Sequence, residues 1–279
     1  MSTVDKKYLL TTRQMATFVA QGFLRFDEFI PDDLNRAILA EFDAGVPSHA
    51  AGTPLSNCYP EPSALGHMLR RPEVQGIIQS LVGPDPLFDH HAIHIRQPRE
   101  ATAQGMHGDA IIDTRALRDF DIQFMYFPHD VPLEMGGTLV APGSHFRRIN
   151  EMDIARYQNL LGQVPVVCKA GTLLVLHHGI WHCGRRNQTD RVRYMYKIRL
   201  NPTVRQLRLW NTEDLNDPDN NAQNILGHQE PWFEDATGRL EIVNRIKLWR
   251  FLTGDNRFDV SYWLTRVENM PEKATVKTQ

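Results

Sequence analysis

A histidine and an aspartate lie two residues apart in the segment QGMHGDA, as His107 and Asp109. Side chains of an extended strand alternate between its two faces, so residues i and i+2 point to the same side. An imidazole and a carboxylate placed in this way can meet at one ion, and two histidines plus one carboxylate on one face suit Fe(II). With 12 histidines in the chain, roughly one such triplet arises by chance. The pair therefore indicates an iron site only if a second histidine joins it.

The segment WHCGRRNQTDRVRYMYKIR offers that second histidine. His182 lies at the predicted end of an apolar strand, and Asn187 and Arg193 come five and eleven residues later. His177 and His178 lie close by in LVLHHGIWH and are rivals for the same role. Spacing alone does not choose among the three histidines.

Two arginines, Arg191 and Arg193, alternate with apolar residues at the start of the next predicted strand. This alternation is typical of a basic face in contact with solvent. The other interpretation is that one of the two enters the protein and binds a dianionic cosubstrate, because a planar guanidinium pairs with a carboxylate through two parallel hydrogen bonds. Arg96, in HIRQP, leaves a similar choice between a salt bridge and a contact to substrate or cosubstrate.

The elements that would position these residues change character at about residue 86. Before it, apolar residues recur at helical spacing in TTRQMATFVAQGF, IPDDLNRAILAEFDAG and RPEVQGIIQSLVGP. Threonine or proline begins these segments and glycine follows them, which is typical of helix ends. The segment PSHAAGTPLSNCYPEPSALG is rich in Pro, Gly and Ser and predicts a loop.

From residue 86 to residue 202 the apolar period becomes two. Short strands are predicted in LFDHHAIHIRQ, DFDIQFMYFP, GGTLVAPGS, QVPVVCKAGTLLVLHHG and RVRYMYKIRLNP, with turn signals at intervals of about ten residues. This spacing predicts a barrel or a two-sheet sandwich. One helix is predicted around NEMDIARYQNLLG, and two more follow in GRLEIVNRIKLWRFLTG and DVSYWLTRVEN.

No linker or repeat divides the chain, so we predict one domain over residues 1–279. It comprises a helical part (1–85), a β-barrel core (86–202) and a C-terminal lid with helices (203–279). The formal net charge of −2 argues against nucleic acid or an anionic membrane as partner. Cys58, Cys168 and Cys183 show no metal-motif spacing and fit a reducing compartment. Without a signal peptide or a long apolar run, the sequence predicts a cytoplasmic protein.

Four separated segments resemble the phytanoyl-CoA dioxygenase family of Fe(II)- and 2-oxoglutarate-dependent oxygenases. MATFVAQGFLRFDEFIPDDLNRAI is similar to the family's opening of helix, short strand and helix. QGMHGDA resembles its iron-binding His-x-Asp with a preceding glutamine, and EMGGTLVAPGSH resembles its Pro-Gly-Ser-His turn, with Gly136 in place of the usual asparagine. HCGRRNQTDRVR resembles its distal histidine, asparagine and arginine. The segments span most of residues 15 to 200, and their order and spacing make the joint match specific.

The resemblance implies a mostly β fold with flanking helices, namely a double-stranded β-helix, the jelly-roll or cupin-like barrel. It implies that His107, Asp109 and His182 are the iron ligands. His182 is preferred over His177 and His178 because only from His182 do the asparagine and the arginine fall at the family's offsets.

The resemblance also implies a site for 2-oxoglutarate. Arg193 would bind its distal carboxylate, with Arg191 as the alternative because some relatives use a shorter spacing. Thr138 and Gln104 match positions that contact the cosubstrate in several members, while a turn threonine and a solvated glutamine are the ordinary alternatives. The family often has a serine two residues after the distal histidine. Here that residue is Gly184, so one expected hydrogen bond is missing or comes from another group.

The implied activity is a dioxygenase reaction with Fe(II), 2-oxoglutarate and O2, and no catalytic residue beyond the metal centre. The enzyme would oxidise a C–H bond of a small molecule in specialised metabolism, by hydroxylation or by desaturation, cyclisation or epoxidation, and would release succinate and CO2. Asp109 argues against halogenation, because related halogenases have a small residue there. The alternatives are a zinc-dependent hydrolase or isomerase, an acyl-CoA hydroxylase, and a barrel that binds a ligand without turnover. The sequence does not indicate the oligomeric state.

Overall fold

The computed structural model describes residues 4–109, 119–147, 160–230 and 235–260, without the side chains of 235–237. Its strands form two antiparallel sheets, of order β1-β7-β4-β9-β3-β2 and β6-β5-β8. The strands are β1 (Phe23–Phe26), β2 (Thr53–Pro54), β3 (Leu87–Arg96), β4 (Ile122–Phe127), β5 (Thr138–Val140), β6 (Val164–Pro165), β7 (Thr172–His177), β8 (His182–Gly184) and β9 (Arg193–Asn201). These antiparallel sheets with flanking helices confirm the predicted jelly-roll fold class.

Two of the three hydrophobic clusters among the described residues pack on the two faces of the larger sheet. The inner core lies between the sheets and joins Met125 and Leu174 of the larger sheet to Val140 of the smaller one. The outer core lies between the other face of the larger sheet and the helices, and it includes Phe124 of β4 and Ile198 of β9. Because successive residues of β4 and β9 point to opposite faces, both faces of these central strands are buried. The larger sheet is therefore fixed from both sides.

The helices of the described residues are α1 (Thr12–Gln21), α2 (Asp32–Ala44), α3 (Ala64–Arg70), α4 (Pro72–Val82), α5 (Ala222–Gly227) and α6 (Asp235–Thr253). In α1, Thr11 and Gln14 form a reciprocal capping box, and Gly22 ends the helix in the left-handed conformation at φ 81°. α1, α2, α4 and α6 match predicted segments. No helix among the described residues is long and apolar enough to span a bilayer.

Two local predictions were wrong. The first turn of α3 lies in the segment predicted to be a loop, where the Ser63 side chain accepts a hydrogen bond from the Gly66 backbone at 3.0 Å and begins the helix. His182 does not lie at the end of the apolar strand, since β7 ends at His177 and the chain reverses before His182 begins β8. Both elements are too short to carry a periodic signal.

Two predicted helices, NEMDIARYQNLLG and DVSYWLTRVEN, lie mostly outside the described residues, as does much of the loop after Asp109. The division of the chain into one domain with three parts stays a prediction. Cys58, Cys168 and Cys183 are all buried as free thiols.

Candidate metal and cosubstrate site

The backbone brings the His-x-Asp segment against the distal histidine. His107 and His182 form an antiparallel bridge, in which each backbone N–H donates to the carbonyl of the other, at 3.0 and 2.8 Å. This bridge extends the smaller sheet beyond β8, its edge strand. Asp109, two residues on, points to the same side as His107. The geometry that the two-residue spacing required is therefore present.

The three side chains form a compact cluster. One ligand atom from each of His107, Asp109 and His182 lies within 4.8 Å of the others. Asp109 Oδ1 is 3.5 Å from His107 Nε2, and Asp109 Oδ2 is 3.8 Å from His182 Nε2. Two imidazoles and one carboxylate on one face match the donor set of non-haem Fe(II) sites. This is the one such cluster in the described part of the chain.

Backbone carbonyls orient both imidazoles. The Nδ1 of His107 lies 2.9 Å from the Gly105 carbonyl oxygen, and the Nδ1 of His182 lies 3.0 Å from that of Ile180. A carbonyl oxygen only accepts, so each Nδ1 carries the proton and each Nε2 keeps its lone pair for the site. Burial lowers the pKa of His182 to about 4, so its imidazole is neutral at pH 7. Both imidazoles are thus oriented with Nε2 towards the cluster.

The carboxylate of Asp109 is held as an anion. Burial raises its pKa, but the His182 imidazole and the Lys197 ammonium outweigh burial and hold the pKa well below its usual range. Lys197 Nζ donates to Asp109 Oδ2 at 2.5 Å. The oxygen nearer His107, Oδ1, remains available to a cation. Lys197 therefore favours binding of the metal through one carboxylate oxygen rather than two.

A cavity of about 110 Å³ lies beside the cluster, lined by its three residues and by side chains of β3, β4, β5 and β9. Arg193, the first residue of β9, enters it and is only 1% exposed. Its Nε has no hydrogen-bond partner, and its Nη1 reaches the carbonyls of Met135 and Arg185 only at 3.5 Å. Burial, followed by the charge of Arg96, lowers its pKa to about 10, so it is still charged at pH 7.

Gln104 and Thr138 line the same cavity. The Gln104 side chain accepts a hydrogen bond from the Gly184 backbone at 3.0 Å, and its Nε2 lies 3.3 Å from His107 Nε2. Thr138 begins β5, is buried and stands opposite Gly184 in the register of β5 and β8. The structure thus gathers all six residues that the sequence singled out around one cavity.

The rival residues lie elsewhere. Arg191 precedes β9 and is exposed, and it does not line the cavity. Neither His177 nor His178 lines it, and each accepts a backbone hydrogen bond at Nδ1, from Gly179 at 3.0 Å and from Asp121 at 3.1 Å. These contacts give both histidines a place in the fold without a metal.

Sequence reasoning missed two titratable cavity residues, Lys197 and His94, besides the apolar Met125 and Met195. Lys197 stands four residues after Arg193 on β9, so its side chain lies on the same face. His94 is paired with Met195 across β3 and β9, and burial lowers its pKa to about 4. The signal for Lys197 was present, because it follows from the strand period once Arg193 is taken as internal.

Comparison with known proteins places the chain in a family. The sequence profile of the family "Phytanoyl-CoA dioxygenase (PhyH)" matches residues 18–195. No protein among the curated sequences matches the chain significantly.

Solved structures with the same fold include HygX from Streptomyces hygroscopicus with iron bound, at 14% identity and a TM-score of 0.55, covering 70% of this chain and 88% of that one. AviO1 from Streptomyces viridochromogenes Tue57 is 16% identical with a TM-score of 0.52, covering 74% and 98%. The non-heme alpha ketoglutarate dependent carbocyclase SnoK from nogalamycin biosynthesis is 17% identical with a TM-score of 0.54, covering 77% and 93%.

At these identities the solved structures support the fold alone. The family match carries more weight, because residues 18–195 are more than half of the chain and include all six predicted site residues. The chain belongs to the phytanoyl-CoA dioxygenase family and is, with it, a 2-oxoglutarate-dependent oxygenase, an oxidoreductase.

Proposed function

We propose that the protein is a non-haem Fe(II)- and 2-oxoglutarate-dependent dioxygenase that oxidises a C–H bond of a small molecule. In this proposal His107, Asp109 and His182 bind the metal. Arg193, Thr138 and Gln104 bind the cosubstrate. The observation that carries the proposal is the cluster of two imidazoles and one carboxylate beside a cavity. The cavity contains a buried guanidinium, that of Arg193, whose Nε has no hydrogen-bond partner.

The residues of the cluster fit iron by their chemistry. Both histidines direct Nδ1 to a backbone carbonyl, which turns Nε2 towards the site, and Lys197 occupies one carboxylate oxygen of Asp109. Three protein ligands on one face leave the opposite positions open for small molecules. With iron and 2-oxoglutarate bound, O2 would be the oxidant: one of its oxygen atoms would end in succinate, with release of CO2, and the other would oxidise the substrate C–H bond.

The cavity residues fit a dicarboxylate. A buried guanidinium binds a carboxylate strongly, because the pair is formed away from water and can be bidentate. Arg193 would take the distal carboxylate of 2-oxoglutarate. The Thr138 hydroxyl and the Gln104 amide can donate to the remaining oxygens. Because Arg193 is only 1% exposed, its contact with a carboxylate would form away from bulk solvent.

Structures of similar fold support a small-molecule substrate from specialised metabolism. HygX has been crystallised with nickel, 2-oxoglutarate and hygromycin B, and the epimerase SnoN with Fe3+, alpha ketoglutarate and nogalamycin RO. Asp109 completes the cluster as a carboxylate, which favours hydroxylation, desaturation, cyclisation or epoxidation over halogenation. A cytoplasmic location stays a prediction, in keeping with three free cysteines.

Arg193 separates this proposal from its main alternative. A zinc-dependent hydrolase or isomerase can use the same three ligands, but it needs no buried guanidinium beside them. An acyl-CoA substrate is suggested only by the family's name. A barrel that only binds a ligand, without catalysing a reaction, would not need a metal with open coordination positions.

The direct test measures succinate formed from 2-oxoglutarate under air, with Fe(II) or Zn(II) and a panel of small molecules. We expect Fe(II)-dependent succinate in the native protein and His90→Ala, a half-exposed histidine of β3, and none in His182→Ala. Turnover with Zn(II) in the absence of 2-oxoglutarate would instead support the hydrolase. Tight binding of a panel compound with no succinate at all would support the binding protein.

A further inference from the structure

Two arginines face each other beside the cosubstrate cavity. Arg96 ends β3 and Arg193 begins β9, and the register of the two strands places them directly opposite. Both line the cavity, and their side chains are largely buried. Like charges directly opposite in an antiparallel pair are destabilising. An anion between them would remove this cost.

The protein supplies only part of the needed negative charge. Glu100 Oε1 pairs with Arg96 Nη1 at 2.9 Å, and the other oxygen of Glu100 is buried without a hydrogen-bond partner. Among the residues that the structure describes, no acidic side chain forms an ion pair with Arg193. One carboxylate therefore faces two guanidinium groups, and the Nε of Arg193 is left without a partner.

Gly184 explains how both guanidinium groups fit. A Cβ at this position would lie 2.9 Å from Arg96 Nη2 and 3.6 Å from Arg193 Nη2, with Gln104 Oε1 at 3.4 Å. The tips of both arginines thus surround the space that a side chain would take. The serine that is usual at this position in the family would push Arg96 away. With glycine at this position, the Arg96 guanidinium can keep its present place beside the cavity.

We propose that Arg96 binds the distal carboxylate of 2-oxoglutarate together with Arg193 and so replaces the hydroxyl that Gly184 lacks. The inference rests on the proposed function, because it presupposes a dicarboxylate cosubstrate. A carboxylate has about four lone-pair sites on its two oxygens, enough for two guanidinium groups. Glu100 keeps Arg96 aligned through its ion pair.

The test compares two keto acids in anaerobic binding titrations of the Fe(II)-loaded full chain. 2-Oxoglutarate and 2-oxobutyrate share the chelating end, but only the first has a distal carboxylate. We expect Arg96→Gln to raise the Kd of 2-oxoglutarate about tenfold or more, as loss of a charged hydrogen-bonding partner does, and to leave the Kd of 2-oxobutyrate unchanged. Arg99→Gln is the matched control, since Arg99 is exposed and pairs with Asp190. It should change neither Kd.

Gly184→Ser supplies the second half of the test. Alone, it should weaken 2-oxoglutarate binding because it displaces Arg96; combined with Arg96→Gln, it should restore part of the lost affinity. The inference is overturned if Arg96→Gln weakens both keto acids equally, or if Gly184→Ser has the same effect in both backgrounds. If the native protein binds 2-oxoglutarate and Arg96→Gln binds it equally well, only the inference fails. If the native protein does not bind 2-oxoglutarate at all, the proposed function fails with it.

Discussion

The two faces of β9 differ in chemistry although both are buried. The outward face packs against the helical layer through Tyr194, Tyr196, Ile198 and Leu200. The inward face points into the barrel and carries Arg193, Met195, Lys197 and Arg199. The apolar face is built for stability, since its side chains gain by leaving water. On the inward face only Met195 gains in this way, because each of the three buried charges needs a partner.

The partners on the inward face show which charge is reserved for a ligand. Lys197 pairs with Asp109 at 2.5 Å, and Arg199 pairs with Asp121 at 2.6 Å. Arg193 has no ionic partner among the described residues. A fully buried guanidinium without a carboxylate is costly. A bound dicarboxylate offsets that cost, so the comparison within one strand points to Arg193 as the ligand-binding member.

The largest expected effect is on the inward face. Arg193→Gln should raise the Kd of 2-oxoglutarate by about three orders of magnitude, because truncating a buried charge pair costs about 2–5 kcal/mol. Anaerobic titration of the Fe(II)-loaded protein measures it. Arg191→Gln, two residues earlier and exposed, is the control and should bind normally. Equal losses in both variants would remove the distinction between the internal and the external arginine.

The next effect is on the outward face. Ile198 is fully buried between the sheet and the helices. Ile198→Ala should lower the free energy of unfolding by about 3 kcal/mol, because it removes buried methyl groups and leaves a cavity. Urea denaturation measures the loss, while the Kd of 2-oxoglutarate should stay unchanged. A variant with native stability and weakened cosubstrate binding would contradict the division of roles.

A smaller loss of stability is expected from Tyr196, also on the outward face of β9. The Tyr196 hydroxyl lies 2.8 Å from that of Tyr59, which also contacts His91 behind the sheet. Tyr196→Phe should lower the free energy of unfolding by about 1 kcal/mol, the net value of a typical hydrogen bond. Thermal and urea unfolding measure it, with turnover expected to remain native. Loss of turnover at native stability would mean that this face also serves the reaction.

The sequence predicted that His107, Asp109 and His182 come together, and the first two need only local geometry. The two-residue spacing of His107 and Asp109 places both side chains on one face of any extended segment. The choice between Arg191 and Arg193 was harder, because both have the same parity in the strand. They differ because β9 begins at Arg193, so Arg191 lies in the turn before the strand. A turn has no apolar periodicity, so the sequence does not reveal where the strand begins.

Other parts of the site depended on long-range pairing. Lys197 lies four residues after Arg193, so the two side chains share one face of β9. In the sequence, however, alternating basic residues look alike whether that face is buried or in contact with solvent. Arg96 lies on β3 of the larger sheet, where the register with β9 places it opposite Arg193. Gly184 lies on β8, the edge strand of the smaller sheet, and the two residues meet only when the sheets pack together. No local pattern encodes such a register.

The most direct test of the metal and cosubstrate site is the absorption spectrum of the protein with Fe(II) and 2-oxoglutarate in the absence of oxygen. Binding of 2-oxoglutarate through its keto acid end to the iron held by the protein should give a visible charge-transfer band in the native protein. We expect the band to persist in His90→Ala and to vanish in His107→Ala. A native protein that binds Fe(II) but shows no band with 2-oxoglutarate, or a His107→Ala variant that keeps it, would contradict the account.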